Sequence, residues 1–170
     1  IPLIGGFIIY INIFFYLILD YFLINNLLII FSNIIQLTTF IIVVSLFFFL
    51  GRVDDKKDLN SFVKFIIMTI FLIISIFLDK DLLIENLNFS FMDKNIALEN
   101  YSYFFTIFCF LLFINAFNML DGINGQAATY TLIILIILIY RGVYSPFLIF
   151  LALSLLFFIF YNFKNLMFLG

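Results

Sequence analysis

Long apolar runs constrain this chain more than any other feature of its sequence. Segments such as residues 41–50 and 132–140 are apolar on every face. Several runs reach the roughly 17–25 residues that a helix needs to cross a bilayer core of about 30 Å. A transmembrane barrel would instead alternate apolar and polar residues in segments of about 10. The sequence therefore predicts an all-α fold, a polytopic transmembrane helix bundle.

Polar clusters divide these runs into about six predicted spans. The spans cover residues 3–19, 34–50, 62–78, 102–120, 126–140 and 146–162. Residues 51–61 are too charged to enter lipid at low cost, so they are predicted to form an aqueous loop. After the third span, Leu87, Phe89 and Phe91 alternate with polar residues, which predicts a short surface strand over 87–91.

Alternating spans place the 51–61 loop and the turn at 121–125 on one side of the membrane. The basic residues on or beside that side are Arg52, Lys56, Lys57, Lys64 and Lys164, against Lys80, Lys94 and Arg141 on the other. Because Lys and Arg are retained in the cytoplasm, we expect both segments to face it. The net charge of -2 offers no basic surface, so no nucleic-acid partner is expected. We also expect residues 1–170 to be a single transmembrane domain, truncated at both ends.

A polar stripe is predicted at the end of the fourth span. Asn115, Asn118 and Asp121 fall within an arc of about 120° on a helix, and Gly122 and Gly125 follow them. Glycines let the backbone approach a ligand closely, as phosphate and metal sites often require. The stripe should face the bundle interior or a water-filled cleft. The alternative interpretation is that the two amides only join helices through hydrogen bonds.

Asp54 and Asp55, followed by Asp58, form a second polar cluster on the same predicted side. Adjacent carboxylates repel each other and so favour a divalent cation or a shifted proton affinity. Taken alone, the cluster could equally be a solvated acidic loop. Two carboxylate clusters on one membrane face favour a site where Mg²⁺ is held by carboxylates and substrate phosphates.

Four segments resemble, in family order, the polyprenyl-phosphate N-acetylhexosamine-1-phosphate transferases of glycosyltransferase family 4. Residues 1–6 resemble the Pro-x-x-Gly-Gly entry to an early helix, and 54–64 resemble the Asp-Asp loop with its Asp-Leu-Ser-Pro-x-x-Lys continuation. Residues 115–125 resemble the signature Asn-Ala-x-Asn-x-x-Asp-Gly-x-Asp-Gly, and 161–170 resemble the Asn-Phe…Phe-x-Gly segment. The bacterial branch that uses UDP-N-acetylglucosamine and undecaprenyl phosphate is the most similar. Asn124 departs from the family pattern, because many members have Asp there.

The resemblance implies that an N-acetylhexosamine-1-phosphate is transferred from a UDP-sugar to undecaprenyl phosphate, releasing UMP and starting a lipid-linked cell-envelope glycan. It implies Mg²⁺, or Mn²⁺ in its place, with Asp121 and Asp55 as ligands. Asp54 would accept a proton from the lipid phosphate or position it. The substrate-binding residues would be Lys64, Asn115, Asn118 and Asn124. Lys64 could instead be a lysine that snorkels at the membrane edge.

The resemblance also implies a multi-pass protein of the bacterial inner membrane with its active site facing the cytoplasm. Its partners would be the two substrates, the lipid bilayer and, as a further expectation, a second copy in a homodimer. A transporter or structural membrane subunit would explain intramembrane Asn but not four motifs in family order. A CDP-alcohol phosphotransferase would need an Ala-Arg pair soon after Asp121 and Gly122, which this sequence lacks.

Overall fold

The structure is a computed structural model that describes residues 5–24, 31, 33–89, 91, 95–120, 125–143 and 146–164. Within these residues the chain forms α1 (Gly5–Leu19), α2 (Ile34–Lys57), α3 (Ser61–Leu78), α4 (Ser102–Leu120), α5 (Gln126–Tyr140) and α6 (Pro146–Phe163). A π-helical turn, Asp20–Ile24, continues α1, and single 3₁₀ turns cover Lys80–Leu82 and Glu99–Tyr101. The predicted all-α fold class is confirmed.

Five of these helices are long and apolar enough to cross a membrane. The exception is α5, whose 15 residues span roughly 22 Å at 1.5 Å per residue, less than the bilayer core of about 30 Å. Many large apolar side chains point outward, such as Phe22 at 73% and Phe77 at 77% exposed. Water would penalise so much exposed apolar surface, whereas lipid does not, and the helices therefore present lipid-facing sides.

The predicted aqueous loop at 51–61 is wrong over most of its length, because α2 continues through Lys57. Charged residues at this end lie beyond the apolar run, where they can be helical without entering lipid. Lys56 and Lys57 occupy the last turn, where positive charge suits the helix dipole. Asp58 then ends α2 in a left-handed conformation, and Asn60 caps α3 by accepting from Phe62 N. The connection is only residues 58–60.

Two groups of helices pack around separate apolar cores. Leu50 of α2, Met68 and Leu72 of α3 and Leu111 of α4 form one buried cluster. The second consists of Ala128 and Leu135 of α5 with Leu155 and Phe158 of α6, and Ile9 of α1 packs against it. The two groups meet where the Tyr10 ring of α1 stacks on Phe48 of α2, with centroids 4.1 Å apart. The Tyr10 hydroxyl also lies 3.1 Å from Ser45 Oγ.

A short β-hairpin covers the other end of the bundle. Asn86–Leu87 pairs with Ile96–Ala97 in antiparallel register, with Asn86 opposite Ala97. The predicted surface strand at 87–91 is thus present but begins one residue earlier and ends at Leu87. The hairpin is tied to α4, because Ser102 Oγ donates to Ile84 O at 2.6 Å. Thr106 Oγ1 accepts from Ile84 N at 2.9 Å.

Candidate active site

An ion pair joins the end of α2 to the first turn of α3. Lys64 Nζ forms an ion pair and a hydrogen bond with Asp54 Oδ2, and the two side chains are 21% and 22% exposed. The short connection at residues 58–60 reverses the chain and so brings positions 54 and 64 together. The sequence predicts separate roles for these two residues. The structure makes them direct partners.

Asp55, the proposed metal ligand in this segment, is exposed at the end of α2. It follows Asp54 by about 100° around the helix, so the two carboxylates leave the helix in different directions. Asp58 is also exposed and acts through its backbone, whose N–H donates to Asp54 O at 2.9 Å. Over the ranges that the structure describes, no three acidic, Cys or His side chains come together as a metal site.

Asn115 and Asn118 lie on the last turns of α4, and both are exposed. The buried face of this helix is instead formed by Leu111, with Ile107 and Ile114 partly buried beside it. Neither amide joins two helices by a hydrogen bond among the described residues. This exposure argues against a purely structural role and leaves both amides accessible. Residues 121–124, with the predicted Asp121 and Asn124, lie outside the described residues.

The described site residues share one end of the bundle. Leu50 in the second half of α2, Met68 in the first half of α3 and Leu111 at the middle of α4 form a single cluster. Leu59 of the α2–α3 connection packs against it as well. The Asp54–Lys64 pair and the two exposed amides therefore emerge at the same membrane face, as the alternation of spans predicts.

Gly125 allows the start of α5 to approach the end of α6 closely, at this same end of the bundle. Its φ of 74° is left-handed, and a Cβ there would lie 2.9 Å from Asn162 Oδ1 and 3.3 Å from the Phe163 ring. Only glycine accommodates both the backbone conformation and this close approach. Gly125 directly follows the predicted Asp121–Asn124 turn, so the contact anchors one end of that segment against α6.

Asn162 is the residue at this face to which sequence analysis gave no role. It is 1% exposed, in the last turn of α6. Burying an amide costs free energy unless it is hydrogen-bonded. An Asn at the end of an apolar span therefore indicates a specific structural or functional role. Asn162 is itself the Asn of the Asn-Phe pair in the 161–170 segment, and that resemblance was the signal that could have found it.

The charged side chains at this face are of the types that bind a divalent cation together with a substrate phosphate. Mg²⁺ commonly takes one or two protein carboxylates and completes its coordination with water and phosphate oxygens. Asp55 offers an exposed carboxylate, and Lys64 offers a cation that can pair with a phosphate. The face thus presents negative and positive groups side by side, which suits a metal-bound polyphosphate better than a closed metal site.

Comparison with known families identifies the family of the chain. A family model described as glycosyl transferase family 4 matches residues 37–170, more than three quarters of the chain. Searches among curated proteins and solved structures found no significant match. The matched region contains α3 to α6, nearly all of α2 and every residue assigned above to the site. The chain therefore belongs to glycosyl transferase family 4, membrane enzymes that transfer a sugar-1-phosphate to a polyprenyl phosphate.

Proposed function

We propose that this enzyme transfers N-acetylhexosamine-1-phosphate from a UDP-sugar to undecaprenyl phosphate and thereby starts a lipid-linked cell-envelope glycan. A phosphate oxygen of the lipid attacks the β-phosphorus of the UDP-sugar. The bond from that phosphorus to the bridging oxygen breaks, UMP leaves, and a polyprenyl diphosphate sugar forms. The resemblance of residues 1–6 and 115–122 to the branch that uses UDP-N-acetylglucosamine favours this sugar nucleotide as the donor.

The observation that carries this proposal is the Asp54–Lys64 ion pair at the membrane boundary. Both substrates are anionic, so the site must supply positive charge where the lipid phosphate meets the sugar nucleotide. Lys64 is partly exposed and can exchange its bond to Asp54 for a bond to the phosphate. Asp54 would then lie beside the attacking oxygen, where it can hold a proton or position the phosphate.

Asp55 and Asp121 are the proposed ligands of Mg²⁺ or Mn²⁺. A bound divalent cation would neutralise the donor diphosphate and stabilise the leaving phosphate. Asp55 supports this role because it is exposed at the same face as Lys64. Asn115 and Asn118 are proposed to donate to the nucleotide together with Asn124. The exposure of the first two amides supports that role, since neither bonds to another helix within the part of the chain that the structure describes.

We further propose that this face is the cytoplasmic face of a bacterial inner membrane. Arg52, Lys56, Lys57 and Lys64 lie on the segments at this end, and Lys164 follows the end of α6. Cytoplasmic loops are enriched in Lys and Arg, which supports this orientation. UDP-sugars are made in the cytoplasm, so the donor would reach the site without crossing the bilayer.

The test is UMP release by the full-length protein in lipid nanodiscs. Undecaprenyl phosphate would be supplied with UDP-N-acetylglucosamine, UDP-N-acetylgalactosamine or UDP-glucose, each with and without Mg²⁺. We expect UMP release only when lipid phosphate, metal and a UDP-N-acetylhexosamine are all present. UMP release without the lipid acceptor, or with UDP-glucose alone, would contradict the proposed substrates. A Lys64→Gln protein serves as the matched low-activity control.

A further inference from the structure

The end of the bundle opposite the candidate active site contains a pocket. It is a cavity of about 270 Å³ between the start of α2 and the 3₁₀ turn that follows α3. Gln36 and Thr39 line it from α2, and Asp79 and Asp81 line it from the turn. We propose that this pocket binds the primary ammonium headgroup of a membrane lipid.

Two carboxylates give the pocket its charge. Asp79 is 9% exposed, and its Oδ1 accepts from Asp81 N at 3.1 Å. Asp81 Oδ2 accepts from Gln36 Nε2 at 2.8 Å. These contacts orient the carboxylates but neutralise neither. Among the described residues, neither carboxylate forms a salt bridge, so a cation from outside would offset this charge.

Thr39 is the observation that points to a ligand. Its side chain is 3% exposed and lines the cavity. Its hydroxyl makes no hydrogen bond within the described residues, unlike Thr38 Oγ1, which donates to Ile35 O at 2.9 Å. A hydroxyl that lines a cavity without a protein partner can accept a hydrogen bond from a ligand there. An ammonium carries three donors and no acceptor, which matches a wall of carboxylate and hydroxyl oxygens.

The remaining walls favour a lipid over a metal ion. The rings of Phe31 and Phe40 lie 5.3 Å apart at the cavity, and Val43 and Leu82 add aliphatic surface. Aromatic faces attract ammonium groups, whereas Mg²⁺ requires a nearly complete shell of oxygens. The cavity lies at the ends of membrane spans, where a lipid can place its headgroup against the carboxylates and its chains along α2.

The inference is tested by lipid-dependent thermal stability of the full-length protein in detergent. Dihexanoyl phosphatidylethanolamine should raise the Tm by roughly 3 °C or more, because a ligand that binds only the folded state stabilises it. Dihexanoyl phosphatidylglycerol should not. The rise should disappear in Asp79→Asn and Asp81→Asn, which keep the hydrogen-bonding oxygens, and diminish in Thr39→Val. Glu85→Gln, which removes an exposed charge outside the cavity, should keep the full rise.

Several outcomes would overturn the inference. An equal rise with phosphatidylglycerol would mean that the acyl chains alone are recognised. An equal rise with free ethanolamine or MgCl₂ would replace the lipid with a soluble amine or a metal. An undiminished rise in both Asp variants would move the site elsewhere. If the variants do not fold, native mass spectrometry of the wild-type protein decides, since it should retain phosphatidylethanolamine under activation that removes phosphatidylglycerol.

Discussion

Lys64 in the first turn of α3 is the ion-pair partner of Asp54 near the end of α2, across a connection of only three residues. Both side chains are partly exposed, so the pair contributes at most about 1 kcal/mol to stability. A pair that contributes so little to folding can be separated by a substrate phosphate at low cost. The pair is therefore available to a substrate at the membrane boundary.

Replacing Lys64 tests that contact. Lys64→Gln should lower kcat/KM for undecaprenyl phosphate by roughly 10²-fold, because it removes an electrostatic contact to the reacting phosphates. The Tm should change by no more than about 3 °C, since a partly exposed ion pair stabilises the fold only weakly. UMP release across a titration of the lipid acceptor measures the first effect, and thermal unfolding measures the second.

Lys80→Gln is the control, because Lys80 is an exposed lysine at the opposite end of the bundle. It should leave transfer unchanged. A Lys64→Gln protein with normal kcat/KM would mean that Lys64 is only a lysine at the membrane edge, the alternative that the sequence left open.

Three glycines allow backbone strain and steric contact to be separated. Gly125→Ala should destabilise the protein by roughly 1–3 kcal/mol or more, because it combines a left-handed backbone with a contact of 2.9 Å to Asn162 Oδ1. Gly142 has a φ of 88° but open space around it, so Gly142→Ala should show the backbone cost alone. Gly51 lies within α2 with open space, and Gly51→Ala should be neutral or stabilising by up to about 1 kcal/mol.

Thermal unfolding in one detergent ranks the three variants. The expected order of Tm is Gly51→Ala, then Gly142→Ala, then Gly125→Ala. If Gly125→Ala were as stable as Gly142→Ala, the close approach of α5 to α6 at Asn162 would not be needed for packing.

Cysteine labelling tests the proposed orientation of the bundle. In a Cys109→Ser background, cysteines introduced at Lys56 and Ile123 should resist a membrane-impermeant thiol reagent added to intact cells. A cysteine at Asn86, in the hairpin at the other end, should react. Permeabilised cells provide the positive control, because all three positions should then be labelled. Labelling at Lys56 in intact cells would place the proposed active site outside the cytoplasm.

The helices could be predicted from the sequence because an apolar run long enough to cross a bilayer has few other solutions. The end of α2 could not be predicted, since the charged residues at 52–57 are typical of a loop as well as of a helix that extends beyond the membrane. The Asp54–Lys64 pair depends on that same boundary: the two residues meet only once the reversal is confined to residues 58–60. The partner strand Ile96–Ala97 was also missed, because pairing across a loop leaves no periodic signal in so short a segment.

The candidate site was predicted in its parts more than in its arrangement. Helical periodicity places Asn115 and Asn118 on one face of α4, but it cannot predict whether that face is exposed or packed against another helix. Packing of Leu111 against α3 decides it. Thr39 and the opposite pocket left no signal at all, since a single Thr within an apolar run is ordinary, and the carboxylates that face it lie 40 residues away in sequence.

Asp121 carries the last prediction. In the full-length protein, Asp121→Asn should abolish transfer while leaving folding and membrane insertion largely intact. The carboxylate is proposed to hold Mg²⁺ against the donor diphosphate, and an amide of the same shape keeps the packing but loses the charge that binds the ion. Losing one electrostatic contact to the transition state commonly costs about 10²–10³-fold in rate, and a lost metal should cost at least as much.

Asn124→Asp is the matched comparison, because it adds a carboxylate within the same turn and restores the residue that many relatives carry. It should be tolerated. Both variants would be measured as purified protein in equal amounts, by UMP release across a Mg²⁺ titration. If Asp121→Asn retained more than about a tenth of wild-type turnover at saturating Mg²⁺, the loss would be smaller than a metal ligand implies. The ion would then be assigned to the Asp54–Asp55 pair, where the exposed Asp55 carboxylate already lies beside the lysine that is proposed to bind phosphate.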